Sequence, residues 1–338
     1  MDTVIFALNA VLPIMALIAL GYILKRVGFL TENFVGIGNK LCFRVFLPAM
    51  LFLNIYKVKS LNELELKPAL FAVCGILAAA AIGVVAAHIF LKDDKQRAVV
   101  AQCVFRSNYA IIGVPLAGML FGARGELVAS LLSAFTIPVF NILAVIVLTA
   151  YGSEGVNKRE TLKKTLVGIA KNPLIHGVLL GVICVVLRQA FSLPALLDGS
   201  ITGSSAIQKS ENPLYFIFIV VDYLSKATTP MALIVLGAQF EFVSFKKYLK
   251  PVLIGTSLRT VLVPAIALTA ACLMGFDGAS IAAFVAVFAS PVAVASAIMA
   301  REMNADGDLA ATLVVSTTAV SAVTLIIIVM ILKYLAFI

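Results

Sequence analysis

Residues 105–118 read FRSNYAIIGVPLAG. The chain on either side is almost wholly apolar, so this stretch spoils what would otherwise be a membrane-crossing helix. Pro115 has no N–H to donate and disfavours helical geometry at Val114. Gly113 adds backbone freedom, and Asn108 can bond backbone groups that the break sets free. Broken backbone at bilayer depth is tolerated only where it is buried in protein or lines a water-filled cavity. The stretch therefore predicts a discontinuous helix lining a site.

The surrounding composition fits that setting. Of 338 residues, 62% are hydrophobic and only 13% are charged, with a mean hydropathy of +1.09. Soluble domains carry about 25% charged residues, so the class is a polytopic membrane protein. The formal net charge of +9 comes mainly from short loops, with no basic, aromatic-interleaved patch that would suggest nucleic acid. The cysteines Cys42, Cys74, Cys103, Cys184 and Cys272 lie in apolar segments without metal or redox spacing. With only His88 and His176 besides, neither a metal site nor a cofactor is expected. The first apolar run lacks a basic n-region and is too long for a signal peptide, so it reads as a retained helix.

About 20 apolar residues cross a bilayer core. Ten segments qualify: 3–24, 33–56, 68–91, 97–121, 127–150, 173–190, 213–240, 251–274, 279–300 and 309–335. Pro230 is expected to kink the long seventh span. Residues 152–172 read as a basic amphipathic linker on the cytoplasmic surface, and 192–212 as an inserted Ser/Gly-rich loop.

The spans repeat. Pro13 and Gly21 match Pro173 and Gly181 at an offset of 160. Pro48 matches Pro230 at 182, the two LKP triplets (66–68 and 249–251) at 183, and Phe105 and Ser107 match Phe288 and Ser290 at 183. Gly125, Leu127 and Thr136 match Gly307, Leu309 and Thr318 at 182. The step in offset falls where the extra loop lies. The expected fold is thus all-α, with two five-helix repeats, 1–151 and 173–338. Because five is odd, the second repeat is inverted, an architecture of secondary carriers.

The loops joining spans 1–2, 3–4, 5–6, 7–8 and 9–10 hold 14 Lys and Arg, against 7 on the other side. The positive-inside rule makes the first side cytoplasmic and puts both termini outside, in a plasma (bacterial inner) membrane.

Span nine repeats the interruption as FASPVAVAS, with Pro291 aligned to Asn108. After each break a half-helix starts near the membrane centre, and its free N–H groups favour an anion. The candidate substrate contacts are Arg106, Ser107, Asn108 and Tyr109 with Ser290, Pro291 and Val292, and the helix breakers are Gly113, Pro115 and Pro291. Arg106 has a second reading, snorkelling to the interface, and Asn108 a purely structural one, stitching the broken helix.

SNYAIIGVPLAGMLFG in span four, ASPVAVASAIMAREMNAD running toward span ten, and FLPAMLF in span two resemble the auxin efflux carrier family over essentially the whole chain. That family includes plant auxin exporters and bacterial permeases for carboxylates such as malate and malonate. The resemblance implies crossed broken helices four and nine and a homodimer. It also implies a scaffold of spans 1, 2, 6 and 7 with a moving domain of spans 3–5 and 8–10, and makes Asn108 a substrate contact. Plant members carry a proline where this chain has Ser107, and a long central hydrophilic loop that this chain lacks. Both departures favour a carboxylate carrier over an auxin exporter.

Ionisable residues inside spans are functional candidates. Asp222, with Lys226 four residues on, and Arg44 are candidates for proton or sodium coupling, and Arg259 or Arg44 for contact with a substrate carboxylate. The competing reading of Asp222 and Lys226 is a self-neutralising i,i+4 pair. The function expected is secondary transport of small mono- or dicarboxylates by alternating access. The alternatives are export of auxin-like aromatic or amphipathic acids, or cation/proton antiport, which would need acids at the crossing. No nucleophile–base pair, HExxH or paired acids within a span suggest an enzyme.

Overall fold

The computed structural model describes residues 2–56, 66–151, 167, 171, 173–191, 215–240 and 245–338. The inserted loop 192–212 and nearly all of the linker 152–172 lie outside the described residues. Among the described residues the regular structure is helical, and eight helices are long and apolar enough to cross a membrane. The protein is a multi-pass membrane protein.

In chain order, α1 is Asp2–Arg26. The second span is α2 (Glu32–Leu41) and α3 (Leu47–Tyr56) joined by a π-helical turn, Cys42–Phe46. Next come α4 (Leu66–Phe90), α5 (Asp94–Phe105) and, after a break and a π-helical turn at Tyr109–Gly113, α6 (Val114–Ala150). Then follow α7 (Pro173–Ala190) and α8 (Tyr215–Ala238). A further span is α9 (Leu249–Ser257) and α10 (Val263–Leu273) around the π-helical turn Leu258–Leu262. The last elements are α11 (Gly278–Phe288), α12 (Ala295–Glu302) and α13 (Gly307–Tyr334).

Pro230, the residue expected to kink the seventh span, lies inside α8, which continues through it. The turn expected between spans four and five falls inside the run numbered α6. At Phe121 and Gly122 the backbone leaves helical geometry, Gly122 taking φ +59°, a conformation open to glycine at little cost. The chain folds back there, so that a Cβ on Gly125 would stand 2.4 Å from the Ala117 carbonyl oxygen.

Helix starts differ by location. At α2, α5, α11 and α13, Thr31, Asp93, Asp277 and Asp306 each accept a backbone N–H of the first turn. The half-helices that begin at Tyr109 and Ala295 have no side-chain cap. At the second of these, the Ser296 and Ala297 N–H groups turn back to the Ala293 and Val294 carbonyls at 2.9 and 3.0 Å.

The helix contacts fall into two sets, with α1 also packed on α13 across them. In one, α1 lies on α8, and α3 lies on α7 and α8. In the other, α4 packs on α5, α6 on α11, α12 on α13, and α9 on α5 and α13. Bare glycines let the first group close, since small residues admit close approach where water drives nothing together. A Cβ on Gly21 would stand 2.0 Å from the Ile234 carbonyl oxygen, and one on Gly181 would stand 3.0 Å from that of Phe52. Gly21 and Gly181 are 160 residues apart, and Ile234 and Phe52 are 182 apart, the offsets of the sequence matches. Two further contacts join matched positions directly. The Thr228 hydroxyl donates to the Phe46 carbonyl (2.9 Å), and the Asn108 N–H donates to the Pro291 carbonyl (2.8 Å).

Candidate functional site

The two breaks meet. Ser107 and Val292 face each other in a short antiparallel bridge, flanked by Asn108 N–H to Pro291 oxygen at 2.8 Å and Ala293 N–H to Arg106 oxygen at 3.2 Å. Four half-helices radiate from this bridge. Two end there, α5 and α11, and two begin there, at Tyr109 and α12.

The break lies at Arg106–Asn108, upstream of the residues chosen from the sequence. Gly113 and Pro115 are therefore corrected as helix breakers. Pro115 sits in the first turn of α6, next to the π-helical turn, where its missing N–H is tolerated. Gly113 is a packing residue, since a Cβ there would be 3.0 Å from the Ala286 carbonyl oxygen on the crossing helix. Pro291 does lie in its break. Tyr109 is buried, and its hydroxyl donates to the Ala129 carbonyl at 2.7 Å.

Arg259 was expected to reach substrate, and the structure corrects this. Its guanidinium is fully buried and donates to the carbonyls of Ser290 (2.6 and 2.9 Å), Val287 (3.0 Å), Val104 (3.2 Å) and Phe105 (3.4 Å). These carbonyls close the C-terminal ends of α11 and α5, where the helix dipole is negative and no further turn supplies partners. A cation with five donors meets that need, and none is left for a ligand.

Arg106 is different. It is buried beside the crossing, with one terminal nitrogen 2.9 Å from the Asn141 side-chain oxygen and the other against the Met299 sulfur. It makes no ion pair among the described residues. The snorkelling alternative does not describe this placement.

A cavity of about 220 Å³ lies at the crossing. Its wall includes Arg106, Ser107, Asn108 and Tyr109 from one break and Ala293, Val294 and Ala295 from the other. The opposite wall comes from the first helix group and carries Asn39 and Gln239, whose amide groups are 3.4 Å apart. Between these polar walls the lining is apolar, with Phe43, Ile137, Phe140 and Leu236 among its residues. Among the described residues no carboxylate lines it.

Three sequence candidates lie beside this cavity and not in its wall. Ser290, Pro291 and Val292 form the crossing itself. The Ser290 carbonyl is held by Arg259, its hydroxyl is buried without a hydrogen-bond partner, and the Val292 N–H donates to the Thr317 hydroxyl at 3.2 Å. Asn39, Asn141 and Gln239 were missed, although isolated amides in apolar spans were a visible signal.

The coupling candidates lie away from this cavity. Lys226 pairs with Asp222 at 2.6 Å, with side-chain exposures of 66% and 17%, and neither residue lines the cavity. Arg44 is exposed on its π-helical turn and lines no cavity. Glu126, four residues past the break in α6, accepts a hydrogen bond from the Asn54 amide of α3 at 3.1 Å, and that amide also donates to Ser130 at 3.0 Å.

A second cavity, of about 190 Å³, shares Gln239, Val294 and Ile298 with the first and is lined further by Lys25, Glu32 and Arg301.

Comparison with known proteins agrees with a transport site. The chain is 25% identical over 320 residues to an uncharacterized transporter of Methanothermobacter thermautotrophicus, covering 94% of this chain and 95% of the relative. It is 26% identical over 280 residues to an uncharacterized transporter of Methanocaldococcus jannaschii, covering 80% and 81%. The profile of the family described as Membrane transport protein matches residues 6–329, nearly the whole chain. The chain thus belongs to that membrane transport family, the auxin efflux carriers.

Proposed function

We propose that the protein is a secondary active carrier of small organic anions, mono- or dicarboxylates such as malate or malonate, which bind at the crossing of the two broken helices. One observation carries this reading. Two uncapped half-helix N-termini and a buried arginine without an ion pair among the described residues converge on one small cavity. Each N-terminus contributes about half a positive charge, and Arg106 a full one. The volume lies below the ~300–1,000 Å³ of pockets for drug-sized ligands, which favours a small acid. Antiport of cations is disfavoured because the described lining offers them no carboxylate.

Alternating access follows from the architecture proposed. The chain is read as ten spans in two inverted repeats, with α6 supplying half of span four and all of span five. The contacts Phe46–Thr228 and Asn108–Pro291 support this, because matched residues touch each other only on a two-fold axis. The first helix group would be the scaffold and the second the moving domain. The second cavity then leads from the crossing toward the side with the basic loops, so the conformation is open to the cytoplasm. Both termini lie outside, in the plasma membrane, and two copies form a dimer.

Export of an aromatic or amphipathic acid is kept as a second reading because Phe43 and Phe140 line the cavity. The deciding experiment is a thermal-shift screen against both classes of acid, followed by uptake into proteoliposomes. A bound acid at a hundredfold excess over Kd stabilises by about 2.7 kcal/mol. The shift and the transport are expected to vanish in Asn108→Ala with folding intact. Normal transport by that variant would sink the site.

A further inference from the structure

We propose that the second cavity is a docking site of its own for the transported carboxylate, formed by Lys25 and Arg301 and occupied before the crossing is reached. The inference rests on the carboxylate reading above. Three observations support it. The cavity is contiguous with the crossing cavity through Gln239, Val294 and Ile298. Its charged lining is two cations and one acid, Lys25, Arg301 and Glu32. Finally, each cation is paired with an exposed acid, Lys25 being largely covered and Arg301 itself 55% exposed.

Lys25 ends α1, and its side chain is only 21% exposed, while Glu32, which it pairs with, is 80% exposed. A carboxylate arriving from water can take the place of Glu32, because a solvated ion pair is worth little. Arg301, on the last turn of α12, lies 4.0 Å from Asp308, which is 60% exposed. Its stem rests on bare backbone: a Cβ at Gly307 would stand 2.1 Å from the Arg301 Cγ, so only glycine lets the arginine lie there. Apolar walls from Val35, Phe240, Val314 and Val315 surround the charges. With cations in excess and low-dielectric walls, the cleft focuses a positive field and raises local anion concentration. The anion docks between Lys25 and Arg301, releases Glu32, and passes Gln239 toward Arg106.

The shared chemistry is an anionic head, which a lipid phosphate also carries, so the test separates the two sources. Uptake of radiolabelled malate is measured in proteoliposomes of phosphatidylcholine alone, and again with phosphatidylglycerol added, at low and high ionic strength. For Lys25→Gln combined with Arg301→Gln, kcat/KM is expected to fall roughly tenfold at low ionic strength and to converge with wild type at high salt. Glu32→Gln is expected to raise it at low salt. The melting temperatures of both variants report folding. A kcat/KM unchanged by the double substitution, or lowered equally at every ionic strength, overturns the proposal. So does an effect seen only with phosphatidylglycerol, which would assign the cations to lipid. Wild-type protein that carries malate while the variants behave as wild type rejects the dock alone. Wild-type protein that carries no acid rejects the underlying carboxylate reading.

Discussion

Arg106 and Arg259 are buried within a few residues of the same crossing, yet they face opposite ends of helices. Arg259 sits where α5 and α11 end and spends its donors on four backbone carbonyls. Arg106 sits where two half-helices begin and holds only a neutral amide and a thioether. Four half-helix ends meet at one depth. The two negative ends receive a protein cation, and the two positive ends open on a cavity beside a second cation. An internal charge therefore has no fixed meaning: its role depends on which helix terminus it meets.

The largest effect that would test this contrast is on folding. Arg259→Met removes donors from four carbonyls, and a buried unsatisfied group costs roughly 1–3 kcal/mol. Loss of the guanidinium's own desolvation offsets part of that. Against a total stability of about 5–15 kcal/mol, folded protein is expected to be largely lost, as read by monodispersity after purification. Lysine, with three donors on a point charge, should rescue only partly.

Arg106→Gln comes next and should act on function alone. Its melting temperature should stay near wild type, while anion affinity falls by about 2–5 kcal/mol, the usual cost of losing one partner of a buried charge pair. If it unfolds like the Arg259 variant, the contrast between the two arginines fails.

Asn141→Leu is smaller. It removes the hydrogen bond that aims Arg106, and about 1.5–3 kcal/mol of anion affinity is expected to go with it, read as a weaker ligand-induced thermal shift. The smallest effect belongs to Asp222→Asn. Its pair with Lys226 lies away from the cavity, so no change in the pH dependence of transport is expected. A shifted pH profile would restore Asp222 as a coupling group.

Much of the architecture was legible because it rests on composition and period. Apolar runs located the spans, and matched prolines and glycines such as Gly21 and Gly181 later proved to be close-packing positions. Arg259 was misread because a sequence displays a charge without the carbonyls it will face. Pro115 and Gly113 drew attention as breakers, whereas the break depends on a tertiary contact, the bridge between Ser107 and Val292. Asn39 and Gln239 were missed for the same reason: an amide in a span gains meaning only from the wall opposite.

Pro291 has one more effect. In an antiparallel pair, facing residues exchange two N–H···O bonds. Asn108 donates to Pro291, but proline has nothing to return, so the Asn108 carbonyl instead accepts from Ile112 and Gly113 at 3.0 and 3.2 Å. On this side of the bridge the ladder stops at that single rung and helix resumes, while the Ala293 N–H to Arg106 bond closes the other side. With that rung on one side and Arg259 on the other, the two breaks are fastened into one piece. Whatever displaces one break must displace the other, whereas Asn39 and Gln239 on the facing wall belong to different elements, α2 and the end of α8.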